Sequence, residues 1–259
     1  MSIVNKLFIA CLVLSFSASL KAIELADLKK MAGSQQWAEV IENIDTVSIE
    51  NRNDDWRELL TSSAIALISD PVETNILQQL RMINRLYSYD DLKKNTEFNK
   101  VSGEALVKLF PLCLYSREDK YTECLFVTEK IVSKGMLREK DAFALGNIVR
   151  REALFERVAL PYFSHAVRQM EEGSKICLTP EIRLAVMSGL GQSPDKKEAA
   201  FAREIIFGKC WSDLKATLID NLYSKTNYML NACETLLTRD VLTRLKAKKC
   251  RKALAKAGL

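Results

Sequence analysis

Residues Phe110–Cys124 read FPLCLYSREDKYTEC, and the two cysteines of this stretch decide how the chain folds. On one continuous helix, Cys113 and Cys124 would lie about 16 Å apart along the axis. A disulfide bond needs Cα atoms within about 7 Å of each other. The polar insert SREDK between the cysteines offers Ser116 or Asp119 as a helix N-cap. A bridge between the two cysteines therefore predicts a helical hairpin that reverses in this insert.

The other cysteines extend the same argument, because six of the seven remain when Cys11 of the N-terminal segment is set aside. An even number of cysteines in an exported chain favours disulfide bonds. We predict sequential pairing: Cys113–Cys124, Cys177–Cys210 and Cys233–Cys250. A reduced chain with buried thiols is the alternative. There is no C-x-x-C spacing and only one histidine, so the sequence predicts no metal site.

The second and third pairs differ in how well they suit a hairpin. Cys177 and Cys210 flank the open end of a hairpin made by a helix over Pro180–Leu190 and a return helix over Pro194–Phe207. Cys233 and Cys250 fit less well, because arms on either side of a turn near Thr238 would be about five and about twelve residues long.

The N-terminal segment MSIVNKLFIACLVLSFSASLKA has the layout of a secretory signal peptide. Lys6 precedes an apolar run over Leu7–Phe16, and Ala22 offers a cleavage point. Ten apolar residues form a helix of about 15 Å, which is too short for a bilayer core of about 30 Å. We therefore expect a signal peptide over residues 1–22 and an exported chain, periplasmic or secreted, with no transmembrane segment after cleavage. An N-terminal core helix and a lipoprotein acylated at Cys11 are the alternatives.

Composition and periodicity predict an all-α fold. Only 9 glycines and 5 prolines interrupt 259 residues, and apolar residues recur at helical spacing, as at Tyr228, Ala232 and Leu236. We expect about twelve helices, with polar loops at Asp45–Asn53 and Tyr89–Lys100. No Ser-, Gly- or Pro-rich linker divides the chain, so the sequence predicts a single all-helical domain over residues 23–259.

Two short segments resemble helical-repeat families. Trp37–Ile41, WAEVI, resembles the first helix of a tetratricopeptide repeat, and Thr179–Val186, TPEIRLAV, is similar to the start of a HEAT repeat. These resemblances imply antiparallel helix hairpins stacked as an α-solenoid-like array. A compact irregular helical bundle is the alternative architecture.

Catalytic motifs are scarce. His165 is the only histidine and lies among apolar residues, which indicates a packed side chain rather than a general base. Gly189–Gln192, GLGQ, resembles the Gly-Leu-x-Gln element of lytic transglycosylases, which implies a cell-wall-active helical enzyme with a catalytic glutamate. That family's Glu-Ser element does not occur in this chain. We assign no catalytic residue and expect no cofactor.

The C-terminal segment is strongly basic, with seven basic and no acidic residues over Val241–Leu259. Without Lys6 and Lys21, the chain has 36 basic and 33 acidic residues; without these seven as well, the balance is 29 to 33. A mildly acidic body therefore carries a basic terminal helix. The residues predicted to bind a partner are Arg244, Lys248, Lys249, Arg251, Lys252 and Lys256. A solvated capping helix, whose lysines favour the negative helix C-terminus, is the alternative.

These observations predict an exported, disulfide-stabilised helical scaffold that binds a protein or an anionic envelope polymer without catalysis. A cell-wall-active enzyme is the alternative function. The basic helix is also suited to contact with an anionic lipid surface. Nucleic acid is not an expected partner, because aromatic residues do not alternate with the basic ones.

Overall fold

The computed structural model describes residues 23–69, 75–115, 118–152 and 156–258. The predicted signal peptide lies outside the described residues. Within them the chain has fourteen α-helices and no strand, which confirms the all-α prediction. The helices are α1 (Leu25–Gly33), α2 (Trp37–Asn43), α3 (Asp54–Ser69), α4 (Ile76–Leu86), α5 (Asp90–Lys94), α6 (Thr96–Tyr115), α7 (Glu118–Lys134), α8 (Glu139–Glu152), α9 (Leu160–Arg168), α10 (Pro180–Leu190), α11 (Lys197–Phe207), α12 (Trp211–Asp220), α13 (Thr226–Thr238) and α14 (Arg244–Ala257). None of these helices combines the length and apolarity needed to cross a membrane.

The chain forms two compact units that divide between Leu67 and Ile68, inside α3. In the first unit, α1 packs against α2. The Trp56 indole Nε1 donates a 3.0 Å hydrogen bond to the Ile44 carbonyl. The predicted loop Asp45–Asn53 holds a 3₁₀ turn at Ile49–Asn51 and no α-helix. The single domain over residues 23–259 stays a prediction.

In the second unit, helices that follow each other in sequence pack as pairs: α6 with α7, α8 with α9, α10 with α11, and α13 with α14. Helices from different pairs also meet, since α9 packs against α11 and α10 against α13. The solenoid-like stacking and its irregular-bundle alternative both stay predictions.

The hairpin predicted at the first cysteine pair is confirmed. Helix α6 ends at Tyr115, α7 begins at Glu118, and the Cys113–Cys124 bridge joins them with Cα atoms 6.0 Å apart. The prediction of Asp119 as N-cap was wrong, because Asp119 lies inside the first turn of α7. The other candidate cap, Ser116, lies outside the described residues.

The second bridge, Cys177–Cys210, also closes the predicted hairpin, with Cα atoms 5.3 Å apart. Cys177 lies in a 3₁₀ turn just before α10, and Cys210 immediately precedes α12. The return helix α11 begins at Lys197 rather than Pro194. Residues before it form a turn in which the Lys196 backbone N–H donates to the Ser193 carbonyl at 3.0 Å.

The third bridge, Cys233–Cys250, joins the middles of α13 and α14 with Cα atoms 5.3 Å apart. The connection between these two helices is longer than the turn predicted near Thr238. Helix α14 starts only at Arg244, and Asp240 in the connection adopts a left-handed φ of 48°. The longer connection makes the two arms nearly equal, and the disulfide therefore fits a regular hairpin.

One predicted loop was wrong, because its polar residues were interpreted as a break between helices. The predicted loop Tyr89–Lys100 contains α5 and the start of α6, and Asn95 caps α6 by accepting a 2.8 Å hydrogen bond from the Phe98 N–H. Gly103 lies inside α6. A Cβ there would come within 2.5 Å of the Asp141 carboxylate, so glycine permits close packing of α6 on α8.

Candidate functional site

The candidate site is built on α13, whose buried face fixes it to the rest of the second unit. Asn231 is buried, and its amide donates 2.9 Å hydrogen bonds to the carbonyls of Leu190 and Gln192. Its oxygen accepts a hydrogen bond from Arg203. The Tyr228 ring is buried one turn earlier, and this burial raises the pKa of its hydroxyl.

Arg239 holds the C-terminal end of α13. Its guanidinium donates a 2.6 Å hydrogen bond to the Phe207 carbonyl and lies 4.7 Å from the Trp211 ring centroid. A guanidinium above an indole gains a cation–π attraction. These contacts hold α13 in place, and the basic helix α14 packs against it.

Helix α14 packs against α13 and is bonded to it through Cys250. Thr243 caps its N-terminus by accepting from the Lys246 N–H at 3.5 Å, and Gly258 ends it in a left-handed conformation with φ of 76°. Cys250 is the fully buried residue of this helix. Since a helix turns about 100° per residue, this cysteine fixes which side chains of α14 face α13 and which face solvent.

All six predicted partner-binding residues lie exposed on α14, and they fall into two rows. The row that we call the outer row consists of Arg244, Lys248 and Arg251. The row that we call the groove row consists of Lys249, Lys252 and Lys256. Among the residues that the structure describes, none of the six forms an ion pair. These charges are therefore available to a partner.

The groove row borders an open cavity of about 530 Å³ between α13 and α14, which we call the terminal groove. Its lining comes from residues that precede Cys233 on the α13 side and from residues around and beyond Cys250 on α14. Its lining consists of Tyr223, Thr226, Met229, Leu230, Lys249, Lys252, Ala253, Lys256 and Ala257. The Lys249 ammonium lies 5.0 Å from the Tyr223 ring centroid at one end. The groove combines an apolar interior with a cationic edge, and none of its described lining residues is acidic.

Sequence reasoning missed the apolar part of this site. Met229, Ala253 and Ala257 line the groove, and none of them was predicted as a site residue. A usable signal was present, because Ala253 and Ala257 repeat at i, i+4 between lysines spaced at i, i+3 and i+7. That pattern indicates a helix with a cationic stripe beside a small-residue stripe.

The residues best placed for acid–base chemistry have structural partners. Asp141 is buried, and Arg138 holds it in a two-point ion pair with contacts of 2.6 and 3.1 Å. His165 is 3% exposed, and its Nε2 lies 3.3 Å from the Leu137 carbonyl oxygen. Burial lowers the pKa of His165 to about 4, so the ring is neutral near pH 7.

A second cavity of about 540 Å³ contains glutamates but is built differently. Glu139 accepts a 2.7 Å hydrogen bond from the Glu171 backbone N–H and another from the Ser174 hydroxyl. Its carboxylate therefore stabilises the turn at 171–174. Arg138 and Lys140 border the same cavity, so its lining contains cations as well as carboxylates.

The Gly-Leu-x-Gln element lies at the end of α10, where Gly189 has a packing role. A Cβ on Gly189 would come within 2.5 Å of the Leu160 side chain and 2.9 Å of the Ala202 Cβ. The Gln192 side chain donates a hydrogen bond back to the Ser188 carbonyl at 3.3 Å. The glycine thus lets α10 approach α9 and α11 closely.

Across the described ranges, no group of three or more His, Cys, Asp or Glu side chains is arranged to hold a metal ion. Comparison of the chain with protein-family models, curated proteins and solved structures finds no significant match.

Proposed function

We propose that the protein is an exported, disulfide-stabilised helical binding protein, and that α14 binds an anionic envelope polymer. The observation that carries this proposal is the set of six exposed cations on a helix that contains no acidic residue. None of them is neutralised by a described residue. The Cys233–Cys250 bridge holds them in a fixed arrangement on α13.

The three disulfides support the exported setting, because such bonds persist in oxidising compartments and are rare in reducing ones. The apolar N-terminal run predicted as a signal peptide points to the same route. The two features are consistent with each other, because an exported chain crosses a membrane first and forms its disulfide bridges afterwards.

A polymer suits the spacing of the charges better than a compact acidic patch. From Arg244 to Lys256, the cations recur along about 18 Å of helix at a rise of ~1.5 Å per residue. A chain with repeated anionic groups can contact several of them at once, and each contact near the surface contributes roughly 0.5–1 kcal/mol. Their summed effect depends on salt, since exposed charges are screened.

The test uses the mature chain, residues 23–259, and dextran sulfate as the polyanion, with uncharged dextran as the reference polymer. We expect binding to dextran sulfate alone, weakening steeply from low salt to physiological salt. Changing the outer row with Arg244→Gln, Lys248→Gln and Arg251→Gln should lower the affinity about 10-fold or more, because three contacts are lost.

A matched control removes three exposed cations from other helices and loops, with Lys108→Gln, Lys175→Gln and Arg183→Gln. It changes the net charge by the same amount and should lower affinity less than about 2-fold. Equal losses in both variants would show that net charge, and not α14, drives binding. Absence of binding to the polyanion, with capture of an acidic protein surface instead, would contradict the polymer proposal.

A further inference from the structure

The terminal groove has a property that polymer binding does not use: its interior is apolar. Met229 and Leu230 are half-buried on α13, and Ala253 and Ala257 face them from α14. A volume of about 530 Å³ lies within the range of ligand pockets, roughly 300–1,000 Å³. Apolar surface left open to water is stabilised when a ligand covers it.

The edge of the groove is cationic throughout. Lys249, Lys252 and Lys256 project along one side over about 10 Å, at ~1.5 Å per residue. A lysine can lay its methylene stem along an apolar wall while its ammonium stays in water. The groove therefore presents hydrocarbon at its base and positive charge at its rim.

We propose that the terminal groove binds a free single-chain amphiphile with a carboxylate head, such as a fatty-acid anion. The acyl chain lies along Met229, Ala253 and Ala257, and the head group pairs with the groove-row lysines. Helices α13 and α14 form the two walls, and the small side chains of Ala253 and Ala257 leave an open channel between them.

Charge and polarity favour this occupant over a peptide or a bilayer. A peptide backbone needs hydrogen-bond partners when it is buried, yet Tyr223 and Thr226 are the only uncharged polar side chains among the lining residues that the structure describes. A bilayer presents head groups to a surface, whereas the apolar part of this site is recessed between two helices. The inference is separable from polymer binding, since it concerns a different ligand and uses the groove row alone, whereas the polymer contacts both rows.

The test is titration calorimetry on the mature chain with octanoate, decanoate and dodecanoate, each below its micelle concentration. Affinity should rise up to about 4-fold for each added methylene until the groove is filled. The uncharged alcohol of the same length should bind roughly 5-fold or more weakly, because it has no charge for the lysines. Vesicles of anionic phospholipid provide the comparison with a membrane surface.

Two variants separate the apolar and the charged contributions. Ala253→Leu fills the channel without changing charge and should weaken both the carboxylate and the alcohol about 10-fold, because the added side chain takes the place of the acyl chain. Lys249→Gln with Lys252→Gln and Lys256→Gln should bring carboxylate affinity down to that of the alcohol and leave the alcohol unaffected. Thermal unfolding checks that each variant stays folded.

The outer-row triple variant is the matched control, since it removes three charges from the same helix on its other side. It should change dodecanoate affinity less than about 2-fold while it weakens dextran sulfate binding. Affinity that does not depend on chain length, equal loss in both triple variants, or binding to vesicles alone would overturn the groove proposal. Loss of polymer binding alone would leave it standing, so the two proposals fail separately.

Discussion

At the scale of single residues, His165 shows how burial sets chemistry. It lies in α9 at 3% exposure, and its Nε2 is 3.3 Å from the Leu137 carbonyl. Because a carbonyl oxygen only accepts, this nitrogen carries the proton of the neutral ring. Desolvation by burial is the main reason that its pKa is lowered to about 4; the Leu137 hydrogen bond partly opposes it, and the nearby Arg168 adds to it.

This pKa predicts a pH-dependent free energy of unfolding. Between pH 4 and about 6.5, the unfolded chain binds a proton at His165 that the folded chain does not bind. The contribution of the neutral His165 ring to the free energy of unfolding is complete above about pH 6.5. As the pH falls toward 4, this contribution is lost, by up to about 3 kcal/mol. Urea unfolding at several pH values measures it.

His165→Gln is the control, because glutamine keeps an N–H donor for Leu137 and does not titrate. The variant should lose stability less steeply than the wild type between pH 6.5 and 4. The same slope in both proteins would show that other groups cause the acid sensitivity and that His165 is not buried as a neutral ring.

At the scale of elements, α14 depends on one partner helix and one disulfide. It packs against α13, and Cys250 is its fully buried residue. Most of its other side chains are charged or small, so it has little apolar area with which to hold itself in place. A basic helix with so narrow a buried face is stable mainly when its neighbour is fixed.

Replacing Cys233 and Cys250 together with alanine should therefore release α14. A bridge that closes a loop of this size adds about 3 kcal/mol, and we expect the loss to appear locally. Hydrogen exchange should accelerate across residues 244–257, while α8 and α9 keep their protection. Binding of dodecanoate should weaken in parallel, since one wall of the groove would be lost.

The double change Cys113→Ala and Cys124→Ala is the matched control for this effect. It removes a bridge that joins α6 and α7, far along the chain from α14. Exchange should then rise around the α6–α7 turn and stay unchanged in α14. If both double variants exposed α14 equally, the local attachment of this helix would be contradicted.

At the scale of the whole molecule, three disulfides act together with a fully helical architecture. In the second unit each bridge connects helices or turns that already pack as neighbours. Each bridge restricts the unfolded chain and thereby stabilises the folded state by about 3 kcal/mol. This stabilisation exists only where the thiols are oxidised, which links stability to the compartment.

Reduction should therefore lower the melting temperature of the mature protein strongly, by roughly 20 °C if the three contributions add. Calorimetry with and without a reductant measures the shift. Peptide mapping under non-reducing conditions should find the pairs Cys113–Cys124, Cys177–Cys210 and Cys233–Cys250. Six free thiols in the purified protein, with no thermal response to reductant, would contradict both the pairing and the exported setting.

Much of this architecture can be predicted from sequence, because helices are encoded locally. Apolar residues at helical spacing indicated an all-α chain, and the reach of a disulfide implied a reversal between Cys113 and Cys124. The sequential pairing was predicted from the even cysteine count in an exported chain and is the pairing that the structure has, although Cys233–Cys250 fitted the predicted turn less well. The charge of α14 was also evident, since it needs only a count of residues.

Some features depend on which helix faces meet, and only the tertiary structure decided these. The turn before Arg244, the close approach of Gly103 to Asp141, and the division of six cations into two rows all depend on contacts between distant parts of the chain. The terminal groove is the clearest case. Its lysines and its small-residue stripe are visible in the sequence, but its apolar base exists because the Cys233–Cys250 bridge turns Ala253 and Ala257 toward α13, and the stripe alone does not say which helix it faces.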